Sequence, residues 1–152
     1  MKTRQEAVNA ARTWKGSPYR LGGRVKGAGV DCAMLLLGYL IEIEAIDSKS
    51  LENYGPYGSD WFHHTNNERY LKALMAYGKI VAETHCRGGQ NIQPGNLVLF
   101  KVVGSKLYNH GAIVTAWPMG VHAAREGVCE IDLICDPLTT NKQMGIFDPW
   151  SK

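Results

Sequence analysis

One cysteine and two histidines, far apart in the chain, are of the residue types that could carry out covalent chemistry. Cys32 follows a glycine-rich stretch, and His110 and His122 come much later in the sequence. A thiolate can attack a carbonyl carbon, a histidine can take the proton of the thiol, and a second polar group can hold that histidine in one tautomer. These three residues are therefore candidate catalytic residues for acyl transfer through a thioacyl intermediate.

The residues around Cys32 predict a helix that begins at the cysteine. Residues 33–40 are apolar and contain neither proline nor a β-branched residue, and Asp31 is a candidate N-cap. A thiol in the first turn of a helix lies near unpaired N–H groups and the positive end of the helix dipole, which favour the thiolate. A lone cysteine before a leucine-rich helix is also a common packing residue. Its position alone leaves both interpretations open.

The two histidines fall on neighbouring predicted strands, residues 110–115 and 121–124, which would form a hairpin. If the loop between the strands has an odd number of residues, such as 116–120, His110 and His122 project from the same face of the sheet. The commoner fate of a histidine on a strand is that of a hydrogen-bonded or exposed polar residue. The pattern therefore permits a catalytic pair without requiring one.

The elements that must position these residues are helices first and strands later. Helices are predicted at residues 3–14, 32–44 and 67–79, a polar loop at 47–67, and strands at 80–84, 96–103, 110–115, 121–124 and 127–134. This order is typical of an α+β domain with an antiparallel sheet. A chain of 152 residues fits one domain, residues 1–152.

Composition argues against several classes of partner. The net charge is only +3 and the basic residues do not cluster, so we expect no nucleic-acid partner. The longest apolar run, residues 33–46, is too short to cross a membrane and contains Glu42 and Glu44, so no membrane partner is expected. The N-terminal segment lacks the apolar region of a secretory signal, which predicts synthesis in the cytoplasm without a signal peptide.

The remaining cysteines give no metal or redox motif. No Cys-x-x-Cys pair and no pair of ligands at helical i, i+4 spacing is present, so we predict neither a metal nor a cofactor. Cys86, Cys129 and Cys135 are interpreted as structural thiols. The sequence leaves open whether they are free or disulfide-bonded.

Five stretches, taken in order, are more selective than any single motif. They are GSPYRLGGRVKGAGVDC (16–32), DWFHHTNNERYL (60–71), QPGNLVLF (93–100), NHGAIVT (109–115) and VHAA (121–124). Together they resemble the NlpC-type family of papain-like cell-wall cysteine peptidases, and more closely the branch found among phage tail proteins. The resemblance implies a papain-like α+β fold, with N-terminal helices packed on a C-terminal antiparallel β-sheet.

The resemblance also implies a role for each matching residue. Cys32 would be the nucleophile, His110 the base and then the acid that protonates the leaving amine, and His122 the residue that orients His110. Tyr19 would lie near the nucleophile and help to hold the oxyanion together with the backbone N–H of Cys32. Asp31, which precedes the nucleophile, is assigned either to helix capping or to contact with a substrate amine.

Further candidate substrate contacts are Arg24, Trp61 and His64. His64 belongs to a histidine pair, His63-His64, in the predicted polar loop, where either solvent or a substrate could contact it. These three residues complete the predicted set of substrate contacts.

The function implied by the resemblance is that of a peptidoglycan endopeptidase. It would hydrolyse stem-peptide amide bonds, commonly between D-γ-glutamate and a diamino acid, at the bacterial cell wall. The phage branch implies a phage or prophage tail component, with other tail or wall-penetration proteins as partners. Two alternatives are a structural tail-assembly module with little turnover, and a wall-directed amidase or antibacterial effector. Pure scaffolding needs none of the four residues Tyr19, Cys32, His110 and His122, whose presence therefore favours an enzyme.

Overall fold

The computed structural model describes residues 1–59, 69–89 and 91–151. Its helices are α1 (Arg4–Arg12), α2 (Cys32–Glu42) and α3 (Arg69–Met75). Its strands are β1 (Arg24–Val25), β2 (Gly29–Val30), β3 (Lys79–His85), β4 (Leu97–Phe100), β5 (His110–Ala116), β6 (Met119–Ala124), β7 (Gly127–Asp132) and β8 (Gln143–Asp148). The three predicted helices and the five predicted strands have counterparts in the described residues, which confirms the predicted α+β composition.

Local sequence explains where α1 begins and which face it buries. The side chain of Thr3 accepts a hydrogen bond from the backbone N–H of Glu6, and the Glu6 carboxylate accepts one from the backbone N–H of Thr3 at 2.8 Å. This capping box satisfies N–H groups that a helix start leaves unpaired. Ala7, Ala11 and Trp14 are buried against the rest of the core, as their helical spacing predicts.

Six antiparallel strands form the main sheet of the described chain, in the order β3-β8-β4-β5-β6-β7. Alternate side chains point to opposite faces of a strand. Leu97, Leu99 and Ile113 therefore belong to the core formed with α1 and α2, whereas Val98 and Ala112 belong to a second apolar cluster. The sheet is thus covered by helices on one face, in agreement with the predicted α+β class.

Four features differ from the sequence-based expectation. Strands β1 and β2 form a small separate sheet before α2, where no strand was predicted. Strand β8 was not predicted, and it lies between β3 and β4. The predicted strand at 96–103 ends at Phe100, and Val103 has a positive φ of 55°, which is incompatible with a strand. The predicted loop at 47–67 contains a 3₁₀ helix, Ser48–Tyr54.

None of the helices in the described parts of the chain is long and apolar enough to cross a membrane.

Candidate active site

The thiol of Cys32 lies at the start of α2, as predicted. Cys32 is the first residue of the helix and Asp31 is its N-cap, whose Oδ1 accepts a hydrogen bond from the backbone N–H of Met34 at 2.9 Å. The cysteine is half-buried rather than fully enclosed by the core. The Sγ atom lies 3.7 Å from the carbonyl oxygen of Asn109, the residue immediately before His110.

Asp31 is held by three hydrogen bonds. Besides the bond from Met34, its Oδ2 accepts one from the backbone N–H of Gly22 at 2.7 Å and a short one from the hydroxyl of Tyr57. Asp31 is only 1% exposed. Because both oxygens are engaged, this geometry favours the capping role over direct contact with a substrate amine. Sequence reasoning did not find Tyr57, and the turn-rich stretch around it was the available signal.

Tyr19 lies beside the segment that leads into α2. It forms a parallel bridge with Val30, and the backbone N–H of Val30 donates to the carbonyl oxygen of Pro18 at 3.0 Å. Burial raises the pKa of Tyr19 to about 12, and the nearby Cys32 and Asp31 add to this shift. Its hydroxyl therefore keeps its proton near neutral pH and is available as a hydrogen-bond donor.

His110 and His122 contact each other. His110 Nε2 lies 3.1 Å from His122 Nδ1, and the two rings are nearly perpendicular at 86°. The rings share a face because His122 pairs with Ala112, which lies two residues after His110 on the same strand. Both histidines are buried, at 5% and 3% exposure.

The two histidines share a face, but the loop between their strands is not the odd-numbered loop, such as 116–120, on which that expectation depended. The hairpin turn consists of Trp117 and Pro118 alone, and Ala116 and Met119 are already paired strand residues. A register shift between Val114 and Ala116 inserts one extra residue into β5. This bulge, rather than an odd loop, keeps the two imidazoles on one face.

Burial sets the charge state of the histidine pair. The pKa of His110 is lowered to about 3, mainly by burial and then by the neighbouring His122. Burial also lowers the pKa of His122, against the opposing effect of the carboxylates of Asp136 and Glu126. Both rings are therefore neutral near pH 7. When His110 Nε2 donates its proton to His122 Nδ1, His110 Nδ1 carries the lone pair that can accept another proton.

The thiol of Cys32 lies near the end of β5 at which His110 begins the strand. Alternation along β5 directs His110 to the face opposite the one that α2 covers, and His110 is the first residue of that strand. The described contacts bring the Cys32 sulfur to Asn109 at this strand end. Direct contact between sulfur and imidazole belongs to the proposal below.

Of the predicted substrate contacts, Arg24 borders an open cleft. It lies in β1, and its Nη1 donates to the carbonyl oxygen of Leu51 at 2.7 Å. The cleft has a volume of about 390 Å³, and its other walls include Leu21 and Tyr57. Trp61 and His64 lie outside the described residues, so their roles stay predictions.

The other three cysteines are free thiols in different environments. Cys86 is buried, its Sγ donates to the carbonyl oxygen of Leu133 at 3.1 Å, and burial raises its pKa to about 11. This agrees with a structural role. Cys129 is half-buried and Cys135 is exposed, so the interpretation as a structural thiol does not apply to Cys135.

Within the described ranges, no group of three or more His, Cys, Asp or Glu residues could hold a metal ion.

Known proteins resemble this chain in structure. No family model matches the sequence, and no curated protein is significantly similar to it. The NlpC/p60 domain of the peptidoglycan hydrolase SagA aligns with a TM-score of 0.62 and 15% identity over 95% of this chain and 98% of that domain. NlpC1 from Trichomonas vaginalis aligns with a TM-score of 0.61 and 17% identity over 92% of this chain, and NlpC2 from the same organism with 0.58 and 14% over 92%.

These structural similarities show the fold of this chain. This chain spans 42% of the length of NlpC1 and 45% of NlpC2. The arrangement of helices packed on an antiparallel sheet is that of the papain-like NlpC/p60 domains.

Proposed function

We propose that this protein is a cysteine peptidase of the NlpC/p60 type that hydrolyses the peptide stems of peptidoglycan. The observation that carries the proposal is the arrangement of a half-buried thiol at a helix N-terminus, at the end of the strand that begins with His110, and the contact of His110 with His122. The likeness to NlpC/p60 domains, one of them from a peptidoglycan hydrolase, supports it.

In the proposed reaction, His110 Nδ1 takes the proton of the Cys32 thiol as the sulfur attacks the carbonyl carbon of the scissile amide. The negative charge that develops on the carbonyl oxygen is held by the backbone N–H of Cys32 and the hydroxyl of Tyr19. The tetrahedral intermediate collapses, the C–N bond breaks, and His110 gives its proton to the departing amine. Water, deprotonated by His110, then attacks the thioester, which releases the acid and regenerates the thiol.

His122 orients the base and stabilises its charged form. A neutral His122 accepts through Nδ1 whether His110 is neutral or protonated, so the hydrogen bond persists throughout the cycle. Burial alone would make imidazolium formation costly. The growing thiolate and the acceptor nitrogen of His122 offset that penalty at the moment of proton transfer.

The scissile bond, the place of action and the biological context are assigned from the sequence resemblance. We propose that the scissile bond joins D-γ-glutamate to a diamino acid, and that the protein is made in the cytoplasm and acts at the bacterial cell wall. A role as a phage or prophage tail component, together with other tail or wall-penetration proteins, is part of the same proposal.

Digestion of purified peptidoglycan, followed by mass spectrometry of the released muropeptides, tests activity and bond position together. Wild-type protein and the control variant Cys135→Ala, which alters an exposed thiol, are expected to release the same fragments, whereas Cys32→Ala releases none. Release by Cys32→Ala equal to wild type would falsify the proposal. Fragments cut at the glycan–peptide amide would instead identify an amidase.

Alkylation rates separate the enzyme from a structural tail module that has little turnover. An activated Cys32 is expected to react with iodoacetamide near neutral pH faster than the exposed Cys135. Equal rates, together with no hydrolysis, would favour the structural module.

A further inference from the structure

The backbone carbonyl group of Asn109 faces the sulfur of Cys32. Cys32 Sγ donates a hydrogen bond to this carbonyl oxygen over a distance of 3.7 Å. Asn109 is the last residue before β5, which begins with His110. The carbonyl oxygen is therefore placed at the junction between the candidate nucleophile and the strand that carries the candidate base.

Three further hydrogen bonds fix Asn109 in place. Its backbone N–H donates to the carbonyl oxygen of Phe100 at 3.0 Å. Its side-chain Oδ1 accepts from the backbone N–H of Val102 at 2.9 Å, and its Nδ2 donates to the carbonyl oxygen of Val102 at 3.2 Å. The carboxamide thus pairs with both backbone groups of Val102, beyond the point where β4 ends. An asparagine side chain supplies both the donor and the acceptor that this pairing needs.

A strained turn follows the residue with which the carboxamide pairs. Val103 and Gly104 have φ angles of 55° and 69°, and the backbone N–H of Ser105 donates to the carbonyl oxygen of Val102 at 3.0 Å. A β-branched residue is rarely found in this left-handed region. The side chain of Val103 is 65% exposed, so core packing does not hold it there. Such a conformation persists only where surrounding contacts fix it, and the pairing of Asn109 with Val102 is one of these contacts.

A carbonyl oxygen beside a thiol stabilises the protonated sulfur. The S–H group donates to the oxygen, whereas a thiolate would face its negative charge, so both effects favour the neutral thiol. The N-terminus of α2 acts on the sulfur in the opposite direction. His110 is buried, and its pKa, lowered to about 3, leaves the imidazole neutral near pH 7. The carbonyl group and the neutral imidazole together favour a site in which the proton stays on the sulfur until substrate binds.

We propose that Asn109 is a positioning residue that holds Cys32 as a neutral, oriented thiol before substrate binds. Its carboxamide fixes the residues that lead into β5, and its carbonyl oxygen accepts the hydrogen bond from Cys32 Sγ and so favours one side-chain rotamer of the cysteine. The proton leaves the sulfur for His110 Nδ1 only as the bond between sulfur and the substrate carbonyl carbon forms. That the thiol is a nucleophile rests on the proposed function, whereas its hydrogen bond to Asn109 does not.

The pH dependence of Cys32 alkylation, measured without substrate, tests the proposal. The rate constant with iodoacetamide is determined by peptide mass spectrometry between about pH 5 and 9, which includes the common range of thiol pKa values. Wild type is compared with Asn109→Ala and with the matched control Ser105→Ala. The control removes a hydroxyl that bonds the backbone of Leu107 in the same loop and leaves the contacts of Asn109 in place.

In Asn109→Ala the midpoint of the Cys32 rate profile should move about 0.5–1 pH unit lower, as expected when a hydrogen bond to the neutral form is lost. Ser105→Ala should keep the wild-type midpoint. An unchanged or higher midpoint in Asn109→Ala overturns the proposal, as does an equal shift in Ser105→Ala, which would show a general loosening of the loop. The comparison is made at a single thiol without substrate, so it stays informative if the protein cleaves no wall peptide.

A second measurement covers the case in which Asn109→Ala does not fold. Cys86 is fully buried, and its alkylation should stay slow in every folded variant. If Cys86 becomes reactive in Asn109→Ala, infrared spectroscopy of the wild type decides instead. The difference spectrum between wild type and Cys32→Ala near neutral pH should contain the S–H stretching band of Cys32. Absence of this band would show a thiolate and overturn the proposal.

Discussion

Replacing Asp31 by asparagine should destabilise the protein by removing acceptors that the structure needs. The introduced side chain can still accept from the N–H of Met34 through its single oxygen. Its NH₂ group then faces the N–H of Gly22 and the hydroxyl of Tyr57, both of which now donate to Asp31 Oδ2. Tyr57 can rotate its proton away, but the Gly22 N–H loses its acceptor. Loss of hydrogen bonds to a buried charged group and one unsatisfied donor together predict a loss of about 2–4 kcal/mol.

Thermal unfolding measures this loss. For a chain of 152 residues, each 1 kcal/mol shifts Tm by about 2–4 °C, so Asp31→Asn should lower Tm by roughly 5–15 °C. Tyr57→Phe removes one donor and keeps the carboxylate, and should lose only about 1 kcal/mol. Because both variants break the same bond, the double variant should be less destabilised than the sum of the single ones.

The result that would refute this reasoning is an Asp31→Asn protein with unchanged Tm. If that protein also showed a raised KM for wall peptides, Asp31 would be a substrate contact, as the alternative assignment holds. Full additivity with Tyr57→Phe would show that the two side chains do not share a bond.

Three further predictions concern the histidine pair, the oxyanion donor and helix packing. The folded pKa values of His110 and His122 are lowered, that of His110 to about 3. The unfolded chain therefore binds protons first, and the free energy of unfolding falls as the pH drops below about 6.5, by up to about 1.4 kcal/mol per pH unit for His110 until the pH nears 3, with a contribution of the same sign from His122. Urea unfolding should show a smaller fall in His110→Asn than in wild type. Tyr19→Phe should lower kcat by about 10²–10³ with little change in Tm, since the loss of one oxyanion donor raises the barrier by about 2.7–4 kcal/mol. Unchanged kcat in a peptide-cleavage assay would contradict the role of Tyr19 as an oxyanion donor. Gly38→Ala should lower Tm although alanine has a better helix propensity than glycine, because the new Cβ would lie 2.6 Å from Cη2 of Trp14. A raised Tm would contradict this close packing of Trp14 against α2.

Much of the candidate site could be predicted because it depends on local sequence. The start of α2 follows from Asp31 and the apolar residues after it, and the N-cap bond to Met34 spans only three residues. The shared face of His110 and His122 was expected only if the loop between their strands had an odd number of residues, and the structure reaches it by another route. The alternation of side chains between the two faces of a strand is a local property, whereas the bulge after Val114 depends on how β5 and β6 pair.

Strand β8 shows why part of the fold could not be predicted. Its sequence, QMGIFD, is short and contains Gly145, which weakens a strand prediction. In the structure the hydroxyl of Tyr108 would lie only 3.0 Å from a Cβ at this position, so glycine fits a close contact from elsewhere in the chain. That contact exists only once β8 lies between β3 and β4.

The sequence by itself determined the helices and their caps, most of the strands and the residue types of the candidate site, because these depend on neighbours within a few positions. The tertiary structure decided which atoms meet. It placed the Cys32 sulfur at the end of β5 and joined Tyr57 to Asp31. Such contacts join residues that are distant in the chain, and their geometry is set by packing and strand register, which no local pattern encodes.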